Sequence, residues 1–269
     1  MKEIDTLELK KVQLDILRDI HSYCQGKGYK YFLAGGTLIG AVRHKGYIPW
    51  DDDIDIFMPR EDYEQFVNNY NLDATSSTRV ISLKNKQDYY LSYAKVEDIR
   101  TLFLEDLDSK CEMGVNVDVF PLDGVPDDEK ERLLYFKRIQ RLRNKEILKG
   151  VSVNWEKRNF IKNLILIGGK ILLATRSLRS IAEELEQAVD KTMTQTRDVA
   201  NVSSGNNGIK SCFPREAIFN DVDVLFEGEK FKTMQGYEIY LKINYGDYMQ
   251  LPPEDKRISH HAFKAYWKI

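Results

Sequence analysis

The sequence has no uninterrupted apolar run near the roughly 18 residues that a membrane-spanning helix needs, so none is expected. The opening MKEIDTLELKK lacks an apolar core of the kind secretion signals carry, which points to a cytoplasmic protein. Cysteine is scarce. Cys24, Cys111 and Cys212 are odd in number, far apart and form no CxxC, which argues for a reducing compartment and against a zinc site. Charge of one sign is absent too: the net charge is −2, with no global bias toward nucleic acid. There are no repeats and no low-complexity tracts. What remains is an ordinary globular composition, 42% hydrophobic and 11% aromatic, over 269 residues. That length allows one large domain or one domain with a helical annex.

The informative stretch is YKYFLAGGTLIGAVRHKGYIPWDDDIDIFMP, residues 29–59. Tyr31-Phe32-Leu33-Ala34 suits a buried strand. Gly35 and Gly36 end it, and Thr37 is a good N-cap for a short helix through about His44. Gly46 and Pro49 make a turn. Asp53-Ile54-Asp55-Ile56-Phe57-Met58 then alternates like a strand, with Asp53 and Asp55 on one face. A glycine turn at a helix N-terminus holds an anion, and paired carboxylates hold a divalent cation; together they suit a metal-bound phosphate. Either half alone has a plainer meaning, a turn or a solvated acidic run. Yet Asp51, Asp52, Asp53 and Asp55 fall within five residues and repel unless a cation neutralises them. An EF-hand loop is excluded, because its sixth position, counted from Asp51, is Ile56 rather than glycine.

Around this stretch the pattern is mixed. Residues 5–26 read as an amphipathic helix, with Asp5 and Glu8 resembling a capping box and Gly26 and Gly28 as the stop. A second helix opens at Pro59-Arg60 and runs to about Tyr70, and short strands are expected near 79–83, 90–96 and 101–105. Val115 to Phe120 alternates again, with Asn116, Asp118 and Phe120 on one face. Asp118 is either a third carboxylate beside Asp53 and Asp55 or a sheet-end residue bonded to backbone. Asp123 reads as a turn residue before Gly124. From Arg132 to Arg158 nine lysines and arginines stand against Glu146 and Glu156, and Leu133, Phe136, Ile139 and Leu142 mark a basic amphipathic helix. An apolar stretch over 159–174 and a helix over about 177–196 follow. Residues 132–174 are either a solvated helical subdomain or a patch that touches the membrane surface. A hairpin over Val222–Phe231 and a helix over 236–248 close the pattern. Arg257, His260 and His261 suit phosphate binding or a plain surface equally.

GGTLIGAVRHKGYIPWDDDIDIFMPREDYEQF resembles the signature of the LicD family, a branch of the nucleotidyltransferase superfamily related to fukutin-related proteins. The resemblance continues at Asn116–Asp123, and again at Tyr245–Met249 with Leu251-Pro252-Pro253 behind it. The Gly-Gly lies farther from the paired aspartates than in the wider superfamily, as is usual in this branch. The resemblance implies one α/β (α+β) domain over residues 1–269, a nucleotidyltransferase-like mixed sheet with a helical insertion at about 127–197. It favours Asp118 as the third carboxylate. It implies a phosphotransferase that moves phosphocholine from CDP-choline to a cell-surface glycan such as teichoic acid, capsule or lipopolysaccharide; the membrane-surface reading of residues 132–174 would add a lipid-linked acceptor at the inner face of the membrane.

On that reading Asp53, Asp55 and Asp118 hold Mg2+ or Mn2+ and carry the chemistry, with Asp118 the candidate base. Gly35, Gly36 and Thr37 face a phosphate, and Arg43 and Lys45 are candidates for added positive charge or for solvent. Choline is read by aromatic faces, and Tyr47, Trp50, Tyr89, Tyr90, Tyr93, Tyr245 and Tyr248 are the candidates near the motifs. Three alternatives stand beside it: a ribitol- or glycerol-phosphate transferase, a glycosyltransferase with a DxD motif, and a non-catalytic binding module.

Overall fold

The computed structural model describes residues 1–73, 77–105, 111–153, 159–204, 208–258 and 263–268. His260 and His261 lie outside the described residues, as do Lys157 and Arg158.

The chain opens with a short strand, β1 (Lys2–Ile4), and a long helix, α1 (Thr6–Lys27). Asp5 caps α1 by accepting the Glu8 N–H at 2.8 Å, and Gly28 ends it at φ 73°. The expected capping box is half formed, because the Glu8 carboxylate turns to Lys2 and to the indole N–H of Trp267. Leu9, Val12, Ile16, Ile20 and Cys24 form one buried stripe on α1.

The site is built on a mixed sheet. Its strands are β2 (Phe32–Leu33), β3 (Asp55–Pro59), β4 (Thr78–Ile81), β5 (Ala94–Asp98) and β7 (Asn116–Gly124), in the order β2-β3-β7-β5-β4. β3 and β7 run parallel; the other pairs in that order are antiparallel. Helix α2 (Gly35–His44) connects β2 to β3, and α3 (Arg60–Asp73) follows β3 directly. α1 and α3 pack on the sheet and bury its apolar residues. The strand expected near residue 90 begins at Ala94, because Tyr89 and Tyr90 are buried with Ile81 and Met113 in a separate cluster.

Asp123 is not a turn residue. β7 continues through Gly124, where β8 (Asp198–Ala200) pairs with it and β9 (Phe213–Pro214) adds to β8. Asp123 is 1% exposed and grips Arg60 with both oxygens, at 2.6 and 2.8 Å.

After β7 come α4 (Glu129–Gly150), α5 (Phe160–Leu172) and α6 (Leu178–Ala188). Phe136, Ile139 and Leu142 of α4 meet Leu185 and Ala188 of α6 in an apolar cluster of their own, whereas Leu133 is exposed. α6 ends at Ala188, short of the expected 196. The expected hairpin is β10 (Asp221–Phe226) with β11 (Glu229–Met234), turning at Glu227 and Gly228, both at positive φ. α7 (Tyr237–Tyr245) follows. Last, β12 (Phe263–Trp267) lies between β1 and β6 (Thr101–Glu105), so a second sheet joins the two ends of the chain. No helix among the described residues is long and apolar enough to cross a membrane.

Candidate active site

Two of the three expected carboxylates, Asp55 and Asp118, meet where β3 and β7 run side by side, and Asp53 lies ahead of β3. Asp55 and Asp118 are direct partners in the parallel register, and the Asp118 N–H donates to the Ile54 carbonyl at 2.9 Å. Neighbouring strands lie about 4.8 Å apart, so the two side chains share one face of the sheet edge. Just before β3, Asp51, Asp52 and Asp53 each offer one oxygen, all within 4.8 Å of one another. Desolvation raises the Asp55 carboxyl well above the ordinary range, and the charges of Asp53, Asp118 and Asp51 push the same way while Lys95 opposes them.

The glycine turn closes over these acids. Ala34 N–H donates to the Asp55 carbonyl, which keeps the chain on β3 until it turns at Gly35, φ 54°. A Cβ on Gly35 would stand 2.8 Å from an Asp55 carboxylate oxygen, and one on Gly36 would stand 2.4 Å from an Asp51 oxygen. Neither position admits a larger residue without displacing a carboxylate. Thr37 does not cap α2. The helix already starts at Gly35, with Ala34 as its cap, and the buried Thr37 hydroxyl accepts the Asp55 N–H at 2.9 Å. Thr37 thus fixes the backbone that carries Asp55.

Arg43 and Lys45 lie at the other end of α2. Eight residues separate Gly35 from Arg43, about 12 Å along a helix. Arg43 donates to the Tyr248 and Gln250 carbonyls at 2.7 and 3.2 Å. Lys45 forms the C-cap at φ 63°, with its ammonium on the Val42 carbonyl.

Lys95 and Tyr240, both in contact with site residues, were not singled out from sequence. Lys95 on β5 stands opposite Asp118 in register, is 5% exposed, and reaches Asp118 Oδ1 at 2.6 Å and Asn116 Oδ1 at 3.0 Å. Its position on a strand was legible; its partner across the sheet was not. Tyr240 accepts the Gly35 N–H at 3.3 Å, so α7 meets the glycine turn directly.

A cavity of about 430 Å³ opens beside Asp55 and Gly35. Phe57, Phe120, Phe213, Tyr240 and Tyr245 wall it, and Asn201, Ser204, Ser211 and Asn244 add neutral polar groups. Of the candidate choline-reading aromatics, Tyr245 lines this cavity and Tyr93 stacks behind Phe120 at 4.4 Å. Tyr47, Tyr89 and Tyr90 are core residues instead. Trp50 packs beside His44 and Arg257, and Tyr248 packs against the main core. Phe57 and Phe120 could have been found: each lies two residues beyond a site aspartate and faces the same way. Desolvation pushes the Tyr240 and Tyr245 hydroxyls up, so both remain protonated donors. A second cavity of about 470 Å³ lies near the far ends of β3 and β7. Its cations are engaged by the protein: Arg60 and Lys191 by carboxylates, Lys30 and Arg215 by carbonyls.

Oxygen donors alone, several of them carboxylates, suit a hard divalent cation, and the raised Asp55 carboxyl marks a place where added positive charge is favourable. With a glycine turn above the acids and an aromatic cavity beside them, the site can hold a charged phosphate ester next to a bulky group.

A family profile described as LicD/FKTN/FKRP, nucleotidyltransferase domain, matches residues 28–163. The chain is 33% identical over 273 residues to the lipopolysaccharide cholinephosphotransferase LicD of Haemophilus influenzae, covering 99% of each chain. It is 43% identical over 53 residues to the human ribitol 5-phosphate transferase FKRP, 18% of this chain and 11% of that one. An uncharacterised protein of Rickettsia typhi is 45% identical over 51 residues, 19% of this chain and 16% of that one.

Proposed function

Since this chain belongs to the LicD family, we propose that it transfers phosphocholine from CDP-choline to a hydroxyl of a cell-surface glycan. One observation carries the choice of head group: the likeness to a cholinephosphotransferase spans the whole chain, whereas the likeness to a ribitol-phosphate transferase is confined to 53 residues.

In this reading the acceptor oxygen attacks the phosphorus that bears choline. The bond from that phosphorus to CMP breaks, and CMP leaves with the electron pair. Asp53, Asp55 and Asp118 would hold Mg2+ or Mn2+, with the Asp51-Asp52-Asp53 group supplying further carboxylate oxygens beside Asp55. When bound, the cation neutralises the diphosphate and the charge that develops on the leaving CMP. Asp118 Oδ2 takes the acceptor proton, while Lys95 on Oδ1 fixes the orientation of the carboxylate. The amides of Gly36 and Thr37 face the phosphate, and that of Gly35 is shared with Tyr240. Tyr245 and its aromatic neighbours receive the quaternary ammonium, for which an aromatic face contributes about 0.5–2 kcal/mol.

The test is a product assay on purified protein with CDP-choline, CDP-ribitol and CDP-glycerol. CDP-choline should turn over fastest, and Tyr245→Leu should raise its KM several-fold with little change in CMP affinity. Faster turnover with either polyol donor would overturn the assignment. Polyol-phosphate transfer remains the second reading, since Asn201, Ser204, Ser211 and Asn244 could serve polyol hydroxyls.

A further inference from the structure

Helix α5 is built inside out. An amphipathic surface helix turns its apolar stripe to the core. Here the buried positions are Asn163 and Leu166, and Gly169 faces Leu148 of α4 at close range. Phe160, Ile161, Leu164, Ile165, Ile171 and Leu172 are between 48% and 85% exposed. At 3.6 residues per turn these six fall on one arc of about 140°. A continuous exposed apolar face of this kind marks an interaction surface.

Charge selects the occupant. α5 contains Lys162 and Lys170 and no acid. α4, packed against it, exposes Lys137, Arg138 and Arg141. Its acids are confined to Glu129 and Glu131 in the first turn and to Glu146. The thirteen residues of α5 span about 20 Å, short of the ~30 Å apolar core of a bilayer. Such a helix lies in the plane of an interface rather than across it.

We propose that α5 docks this protein on an anionic phospholipid surface, with the six apolar side chains sunk below the headgroups and Lys162 together with the exposed α4 cations among the phosphates. The inference stands apart from the donor chemistry, because it is read without donor or acceptor.

The experiment is vesicle co-sedimentation of the full chain. One vesicle is phosphatidylcholine alone; the other adds phosphatidylglycerol. Wild type should bind the mixed vesicle at low salt and lose binding as salt rises. Each of Arg138→Glu, Arg141→Glu and Lys162→Glu should lower the partition coefficient by about fivefold or more. Ile161→Ser with Ile165→Ser should lower it by more than about tenfold, with unchanged melting temperature because both residues are exposed. Absence of vesicle binding by wild type at low salt overturns the proposal. So does a dimer in sedimentation equilibrium that the double serine variant dissolves, which would give the face to a second copy of this chain.

Discussion

Lys95→Met removes one charge and almost no volume. The Lys95 ammonium is buried, 2.6 Å from Asp118 and 3.0 Å from the Asn116 side-chain oxygen, and its charge offsets the crowding of acids around Asp55. Methionine keeps the aliphatic stem in place, so the loss is electrostatic. Removing one partner of a buried pair costs about 3–5 kcal/mol. The lower end applies, because the Asp118 side chain is 18% exposed and water can reach it. For a chain of this size each kcal/mol lowers the melting temperature by about 2–4 °C, so the metal-free variant should melt about 6–12 °C below wild type. Added Mg2+ should then restore more stability to the variant than it adds to wild type, since a bound cation takes over the missing charge. The assay is a thermal melt in EDTA and in a Mg2+ series. Equal melting of the two proteins in EDTA, or equal gains from Mg2+, would refute the reasoning.

Asp55→Asn should abolish turnover yet stabilise the metal-free protein at neutral pH. A carboxyl whose pKa is raised in the folded state keeps a proton that the unfolded chain has already released. Wild type in EDTA should therefore lose stability as pH rises from about 4 through the folded value, and melts of the Asn variant across pH should be flatter. Asp123→Asn should lower stability by about 3 kcal/mol in denaturant titrations, with turnover per folded molecule retained, because Arg60 keeps Glu64 and Glu186.

Much of the site was legible because its signals are local. A glycine pair after an apolar run and closely spaced aspartates are read within a dozen residues, and the structure builds a turn into α2 from the first and starts β3 at Asp55, leaving Asp53 ahead of the strand rather than on it. What stayed hidden depends on partners distant in sequence. Gly124 makes Asp123 look like a turn residue, whereas pairing with β8 and the guanidinium of Arg60 hold it in a strand. β1 is only three residues long, and both it and β12 exist as strands through pairing with the other end of the chain. The aromatic wall followed the same division. Phe57 and Phe120 extend an alternation that sequence displays, whereas Phe213 and Tyr240 arrive from elements whose packing no local pattern specifies.

The links between α2 and the C-terminal third bear on what can be excised from this chain. The profile match stops at residue 163, which invites treating 28–163 as a transplantable cassette. Cut there, Gly35 loses the Tyr240 hydroxyl, Arg43 loses the Tyr248 and Gln250 carbonyls, and β6 loses β12. Phe213, Tyr240 and Tyr245 go as well, so the cavity beside Asp55 becomes an open ledge. A chimera built on that fragment would inherit the acids without the pocket. The smallest portable unit that keeps both the carboxylates and their aromatic wall extends at least to Gln250.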